Sequence, residues 1–419
     1  MNLKISYNSV LLFLLSIFPL LMILGSATIN LFCVIFSIYA LLNYKLVLKL
    51  IFSQKKIFLY LFFFIFAILP YHNIDVSFDF QNSFWKSIFY FRYILMTFGI
   101  VLFLNKNNNS ELTFKKYYVI LLFVISIDVI KEHLTGTNFL GYSSIYNGRI
   151  ASFTNPELII GYIFCFISLF CFDKFLNIKR KYLIIPLIFY ILIISFIIGE
   201  RSNFLKLFIL ITVFYTFIYL SENNFKIINF IKVFLFCLTI STVFFVAIKD
   251  TKQASKFFDY NNISKISNFE MFINNLKHTP HYSTALKIFY NNPIFGIGIN
   301  NFREESKKEK YSEKKYKFDG NRSSTHAHQL YLEILSETGI LGIVYFLVLF
   351  VWSIYLSLKN YVKNNNIQII PHLLLNLFFI FPLLPSGSFF GTIYGLPFWY
   401  NFAIILYISQ KNDLRVILK

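Results

Sequence analysis

The sequence predicts an all-α, polytopic integral membrane protein, and three observations carry that prediction. Of its 419 residues 57% are hydrophobic and only 14% charged, with a mean hydropathy of +0.62, a balance that an ordinary soluble globule does not show. Apolar runs recur along the chain, and with their flanks most approach the roughly 20 residues that cross a hydrocarbon core. Lysine and arginine gather in alternate short loops, the bias that sets orientation because positively charged loops resist translocation.

Taken in order, the apolar runs predict about twelve spans, at residues 8–25, 28–44, 56–71, 87–104, 117–131, 157–173, 182–199, 203–220, 228–248, 339–357, 367–385 and 390–408. With the N-terminus inside, the inner loops carry Lys45, Lys49, Lys55 and Lys56, then Lys106, Lys115 and Lys116, then Lys174, Lys179, Arg180 and Lys181, then Lys226, Lys359 and Lys363. The short outer loops hold only Lys86, Lys131, Arg149 and Arg201. Both termini are therefore expected inside, and the basic segment 249–338 becomes the one sizeable outer element, since loops that long translocate regardless of charge. The chain thus divides into a membrane part at 1–248, an outer loop at 249–338 and a second membrane part with a cytoplasmic tail at 339–419.

Several function classes fall away on this map. Most of the net charge of +19 is accounted for by topology and by the long loop, so nucleic-acid binding gains little support. Cys33, Cys165, Cys171 and Cys237 all lie in apolar runs, and none is available for a disulfide in the outer loop. Lys4 ahead of the first run reads as part of an uncleaved span, because no small-x-small cleavage site follows. No phosphate-binding Gly-x4-Gly-Lys-Ser/Thr pattern is present, and no cofactor or metal is expected.

The outer surface carries the chemistry. The stretch 324–342, STHAHQLYLEILSETGILG, is amphipathic yet leads directly into an apolar run. Ser324 or Thr325 is expected to cap a helix whose first turns hold His326, His328 and Gln329, with His328, Tyr331, Leu332 and Leu335 on one face and Glu333 and Glu337 on another. The positive end of that helix would keep the His328 imidazole neutral and able to accept a proton. A histidine at a membrane interface can also simply tolerate both phases.

His328 and Gln329, nine residues, Gly339, two residues and Gly342 fit the pattern His-[Asn/Ser/Gln]-x9-Gly-x-x-Gly, which resembles the signature of bacterial O-antigen ligases and of their relatives, the O-antigen polymerases and protein O-oligosaccharyltransferases. Three further stretches extend the resemblance: Arg201-x3-Leu205 in GERSNFL, the GRIASFTNP run around Arg149, and NNPIFGIGINNF at 291–302, similar to a Pro-x2-Gly-x-Gly-x-Asn-x-Phe turn. Together they span roughly residues 145–345.

The resemblance implies an O-antigen ligase-type glycosyltransferase with a GT-C-like membrane fold in the bacterial inner membrane and a periplasmic active site. The donor would be a glycan on undecaprenyl pyrophosphate, and the acceptor a sugar hydroxyl of lipid A-core in lipopolysaccharide biosynthesis. The polymerase and the protein O-oligosaccharyltransferase are the neighbouring alternatives, and a lipid-linked oligosaccharide flippase is the alternative of another class. Arginine suits a pyrophosphate because its planar fork makes paired, permanently charged contacts to phosphate oxygens. Arg149 and Arg201 are the candidates, with interfacial anchoring as the alternative for each. His328 is the candidate base for the acceptor hydroxyl, with His326, Gln329, Tyr331, Glu200 and Arg92 in support.

Other features carry less. Arg92 and Asp128 are intramembrane charges that could serve the site or pair with each other. Asp75 and Asp79, four apart in one loop, are a solvated face before they are a metal pair. The run REESKKEKYSEKKYKF from Arg303 predicts a mixed-charge surface helix or lid.

Overall fold

The computed structural model describes residues 7–53, 80–107, 110–143, 148–176, 184–222, 274 and 276–418. Among the described residues all regular structure is helical. The chain forms two compact units, one of residues 1–117 with 267–419 and one of residues 118–266.

In the first unit the helices are α1 (Tyr7–Ser16), α2 (Phe18–Ile23), α3 (Ser26–Leu42), α4 (Tyr44–Ser53) and α5 (Phe80–Lys106), followed by the start of α6 (Ser110–Thr135). The second unit takes the rest of α6, then α7 (Ile160–Phe170), α8 (Phe172–Leu176), α9 (Ile184–Ile198) and α10 (Arg201–Glu222). The first resumes with α11 (Thr279–Asn291), α12 (Phe302–Glu305), α13 (Leu330–Asn364), α14 (Ile370–Phe379) and α15 (Thr392–Leu418).

The first unit is built on α3, α5 and α15, which pack on one another, while α13 packs on α11, α14 and α15. Aromatic rings fill the joints. Phe18 stacks on Tyr400 at 4.2 Å, Phe350 meets Phe398 edge-on at 5.4 Å, and the buried Trp399 donates its ring N–H to Tyr90 at 3.0 Å. The outward faces are apolar as well. Leu31, Val34, Ile38 and Leu41 line the open side of α3, and Val344, Leu347, Val351 and Tyr355 that of α13. Apolar residues recurring at three- and four-residue spacing on an uncovered helix face have no place in water; they are a lipid-facing surface. The protein is membrane-integral.

In the second unit α7, α9 and α10 pack together. On α6 the residues Ile120, Phe123, Ile127 and Ile130 form a similar exposed apolar stripe. Gly199 lies between α9 and α10 with φ of +80°, and a Cβ there would sit 2.2 Å from the Gly148 carbonyl oxygen. That close approach fastens the arginine-bearing loop to the end of α9, as does the 3.0 Å bond from the Ile150 N–H to the Ile198 carbonyl.

Among the described residues two helices are by themselves long and apolar enough to cross a membrane, Phe84–Lys106 and Leu330–Asn364. A third span results if Ser26–Leu42 and Tyr44–Ile51, bent by 83°, count as one. The spans expected at 117–131, 203–220 and 390–408 fall on α6, α10 and α15, those at 8–25, 157–173 and 182–199 on shorter helices, and those at 56–71 and 228–248 lie outside the described residues. The clearest difference is at 367–385, where α14 ends at Phe379 and a loop runs to the start of α15. Pro382 and Pro385 account for it, because proline lacks the N–H that helix continuation needs.

Candidate active site

Leu330, not Ser324 or Thr325, opens the helix of the histidine motif. Gln329 is the N-cap, in extended conformation with its side-chain oxygen accepting the Leu332 N–H at 2.8 Å. Ser324 instead donates its hydroxyl to the carbonyl of His326, and His328 adopts a left-handed backbone at φ +55°. A non-glycine residue held there carries strain that the surroundings must sustain, a condition that concentrates at functional sites. His328 therefore sits on a loop ahead of the helix and does not share the face of Tyr331, Leu332 and Leu335.

The helix is interrupted again at Gly339, with φ of +64°. A Cβ on Gly339 would lie 2.3 Å from the Ile294 carbonyl oxygen, and one on Gly296 would lie 2.3 Å from the Glu337 carbonyl carbon. Across this contact Ile297 N–H donates to Ser336 at 3.0 Å, Gly298 N–H to Glu337 at 2.8 Å and Ile340 N–H to Pro293 at 2.8 Å. The glycine-rich turn at 291–302 and the Gly-x-x-Gly of the histidine motif are thus two halves of one interlock.

The two glutamates have structural duties there. Glu337 is buried and accepts backbone N–H from Asn300 at 2.8 Å and Phe302 at 3.4 Å. Glu333, also buried, accepts the Phe389 N–H at 2.8 Å and the Ser388 hydroxyl. The loop between α14 and α15 so held clasps the histidine loop. Ser386 N–H donates to the His328 carbonyl at 3.0 Å, Gln329 Nε2 to Pro382 at 2.7 Å and the Tyr331 hydroxyl to Ile380 at 2.6 Å. Gln329 and Tyr331 fasten this loop through those two bonds.

Four of the chain's 7 histidines converge here. The His328 ring centroid lies 4.2 Å from that of His326, 4.8 Å from His281 and 5.1 Å from His278. His326 is the nearest ring, and a loop in place of the expected helix connects the two. Its Nδ1 faces the Thr325 hydroxyl at 2.8 Å and its Nε2 the Ser386 carbonyl at 3.3 Å. His278 caps α11 and His281 lies in its first turn, with Nδ1 3.0 Å from the Arg322 carbonyl.

Burial sets the charge state of the cluster. It pushes His328 down to about 2, helped by the charges of His326, His281, His278 and Lys277. His326 is lowered to about 4, again chiefly by burial, and His281 moves in the same direction for the same reason. These imidazoles are neutral at neutral pH, and burial rather than the helix dipole is the cause.

In the second unit Arg149 Nη2 lies 3.5 Å from the buried carboxylate of Glu200 and 3.4 Å from the Leu158 carbonyl, while its side chain stays 34% exposed. Its Nε is buried and without a hydrogen-bond partner among the described residues. Glu200 also accepts from the Asn203 amide. Arg201 opens α10 with an exposed side chain. The Arg149 loop is secured from α6, where Asp128 accepts the Phe139 N–H at 2.7 Å and the Ser152 hydroxyl, and Glu132 accepts the Ser152 N–H at 2.8 Å.

Arg92 and Asp128 each find partners within their own unit. Arg92 donates to Asn30 at 3.1 Å and to Tyr93 at 3.2 Å. The run from Arg303 forms only the short α12 and tight turns, with Tyr311 buried against Ala285, Ile288 and Ala327 and its hydroxyl on Glu305 at 2.7 Å. It is an ordered cap in place of the expected longer helix. Asp75 and Asp79 lie outside the described residues.

Residues 186–347 match the family model described as O-antigen ligase. The chain carries a domain of the O-antigen ligase and polymerase superfamily. Its members are glycosyltransferase-like enzymes of lipid-linked glycan chemistry. The matched O-antigen ligase segment takes in Arg201, the 291–302 turn and the histidine motif through Gly342, whereas Arg149 precedes it. No curated protein matches the chain. The sequence reading overlooked His278 and His281, inside the O-antigen ligase segment, and the 380–391 loop beyond it. The spacing His278-x-x-His281 was a visible signal for the first two, and Pro382 with Pro385 for the third.

Proposed function

We propose that the protein is an O-antigen ligase-type glycosyltransferase that moves a glycan from undecaprenyl pyrophosphate to a sugar hydroxyl of lipid A-core, at the periplasmic face of the inner membrane, within a GT-C-like fold of about twelve spans. The observation that carries the reading is His328. It belongs to the O-antigen ligase segment, stands on a strained loop clasped from both sides ahead of the apolar helix, and presents a neutral ring.

In the proposed reaction the acceptor oxygen attacks the anomeric carbon, the bond to the pyrophosphate oxygen breaks, and the hydroxyl proton passes to His328. Undecaprenyl pyrophosphate leaves with the bonding pair. Arg149 and Arg201 hold its phosphate oxygens, and the part of the Arg149 side chain left open beside Glu200 is available to them. A ring as far depressed as His328 is a weak base on its own. An anionic group of a reactant beside the ring would favour the imidazolium and raise its basicity.

Purified protein given lipid-linked glycan with separate acceptors tests this reading. Transfer to lipid A-core supports it. Transfer to a second lipid-linked glycan or to a protein Ser or Thr moves the protein to the polymerase or O-oligosaccharyltransferase reading, and glycan translocation without transfer makes it a flippase. Orientation is tested by single cysteines in a background lacking the native four: an impermeant thiol reagent applied from outside should label Ser143→Cys, Ser202→Cys and Ser312→Cys and spare Asn177→Cys. Reversed labelling removes the periplasmic donor.

A further inference from the structure

We infer that His278, His281 and His328 form a binding site for a borderline divalent transition-metal ion of the zinc class. One ligand nitrogen from each of these residues lies within 4.8 Å of those of the other two. In a tetrahedral zinc site with Zn–N of about 2.0–2.1 Å, such nitrogens stand about 3.3 Å apart, so small side-chain rotations close the set.

The surroundings are those of a prepared ligand set. His278 and His281 are fixed at the start of α11, the first as its cap and the second in its first turn. The His281 Nδ1 faces the Arg322 carbonyl at 3.0 Å, and since a carbonyl can only accept, Nδ1 carries the proton and Nε2 keeps its lone pair for a metal. That outer partner, a backbone carbonyl orienting a ligating imidazole, is the usual second layer of a histidine metal site. His328 is placed from the other side by the Ser386 N–H on its carbonyl. His326 is excluded from the set, because both of its ring nitrogens already have partners in Thr325 and Ser386.

Three imidazoles with no carboxylate select for zinc, cobalt, nickel or copper over magnesium or calcium. They also leave a fourth position open. Lys277 and the positive end of α11 both oppose a bare cation here, and both favour an anionic oxygen, hydroxide or phosphate, at that open position. The metal takes the His328 lone pair that the proposed transfer uses for a proton. An occupied site would therefore stop transfer, a consequence that rests on the proposed role of His328, whereas the binding does not.

The test begins with the purified full-length protein, stripped with a chelator and titrated with Co²⁺. The expected result is one equivalent bound, with the visible absorption of a four-coordinate ion, displaced by Zn²⁺ and untouched by excess Mg²⁺. His281→Ala and, as an independent variant, His278→Gln should each weaken binding about tenfold or more, the scale of losses around metal ligands. No stoichiometric ion in the wild type, or binding unchanged in both variants, overturns the site. In parallel, Zn²⁺ should halt glycan transfer and a chelator should restore it. Metal bound at the three histidines with transfer undiminished would uphold the site and remove His328 as the base.

Discussion

Around His328 one helix supplies two buried carboxylates, Glu333 and Glu337, one turn apart, and each accepts backbone N–H groups of a different loop. Around Arg149 the helix α6 does the same with Asp128 and Glu132, which accept the backbone N–H groups of Phe139 and Ser152. The supports match, but the groups they present do not. His328 is crowded by other imidazoles and kept uncharged by burial, while Arg149 faces one buried counter-ion, Glu200, with part of its fork in the open. In the proposed reaction the group that takes up a proton is thus kept neutral by withholding solvent and counter-charge, and the group that stays charged is given both.

The sharpest way to break this contrast is at the histidine. His328→Ala should lower transfer by about 10²–10⁴-fold, the usual contribution of general-base catalysis, with membrane abundance unchanged. His326→Ala should cost less, because His326 steadies the loop through Thr325 and Ser386. Near-normal transfer by His328→Ala in a quantitative lipid A-core assay ends the proposed mechanism.

A smaller effect is expected at the arginines. Lysine keeps the charge and loses the planar fork, so Arg149→Lys and Arg201→Lys should each reduce turnover about ten- to a hundredfold, the equivalent of ~1.5–3 kcal/mol of charge-assisted hydrogen bonding. Turnover should fall more than donor affinity, since the leaving group is more negative in the transition state. Wild-type turnover in both variants makes these residues membrane anchors and passes the role to Arg92.

The supports should respond least. Glu333→Gln and Asp128→Asn each replace a carboxylate that accepts from a backbone N–H and a serine hydroxyl at once with an amide that has a single acceptor oxygen, and each should cost about 1–3 kcal/mol in thermal unfolding in detergent. Glu333→Gln should carry the milder version of the His328→Ala defect, and Asp128→Asn that of Arg149→Lys. A change in transfer without any change in stability would show that these carboxylates touch substrate and are not supports.

Much of the fold was legible along the chain. Runs such as 28–44 and 87–104 fall on α3 and α5 because a helix needs only its own residues to satisfy its backbone, and its hydropathy is therefore written locally. Gly339 could likewise be read as a helix end or close backbone approach, since φ of +64° is a condition on a single residue. The helix around His328 was misplaced for a long-range reason. Ser324 and Thr325 are good caps by type, yet the cap went to Gln329, whose amide also reaches Pro382 across the 380–391 loop.

By itself the sequence determined that this is a helical membrane protein with a segment of the O-antigen ligase type, because hydropathy, charge bias and motif spacing are properties of neighbouring residues. Only the tertiary structure decided which histidines meet. His278 and His281 lie about fifty residues from His328 along the chain, and what brings the three rings together is the packing of α11 on α13 with the interlock of Gly296 and Gly339. Contacts of that kind depend on backbone approach and burial at a distance, which no local pattern records.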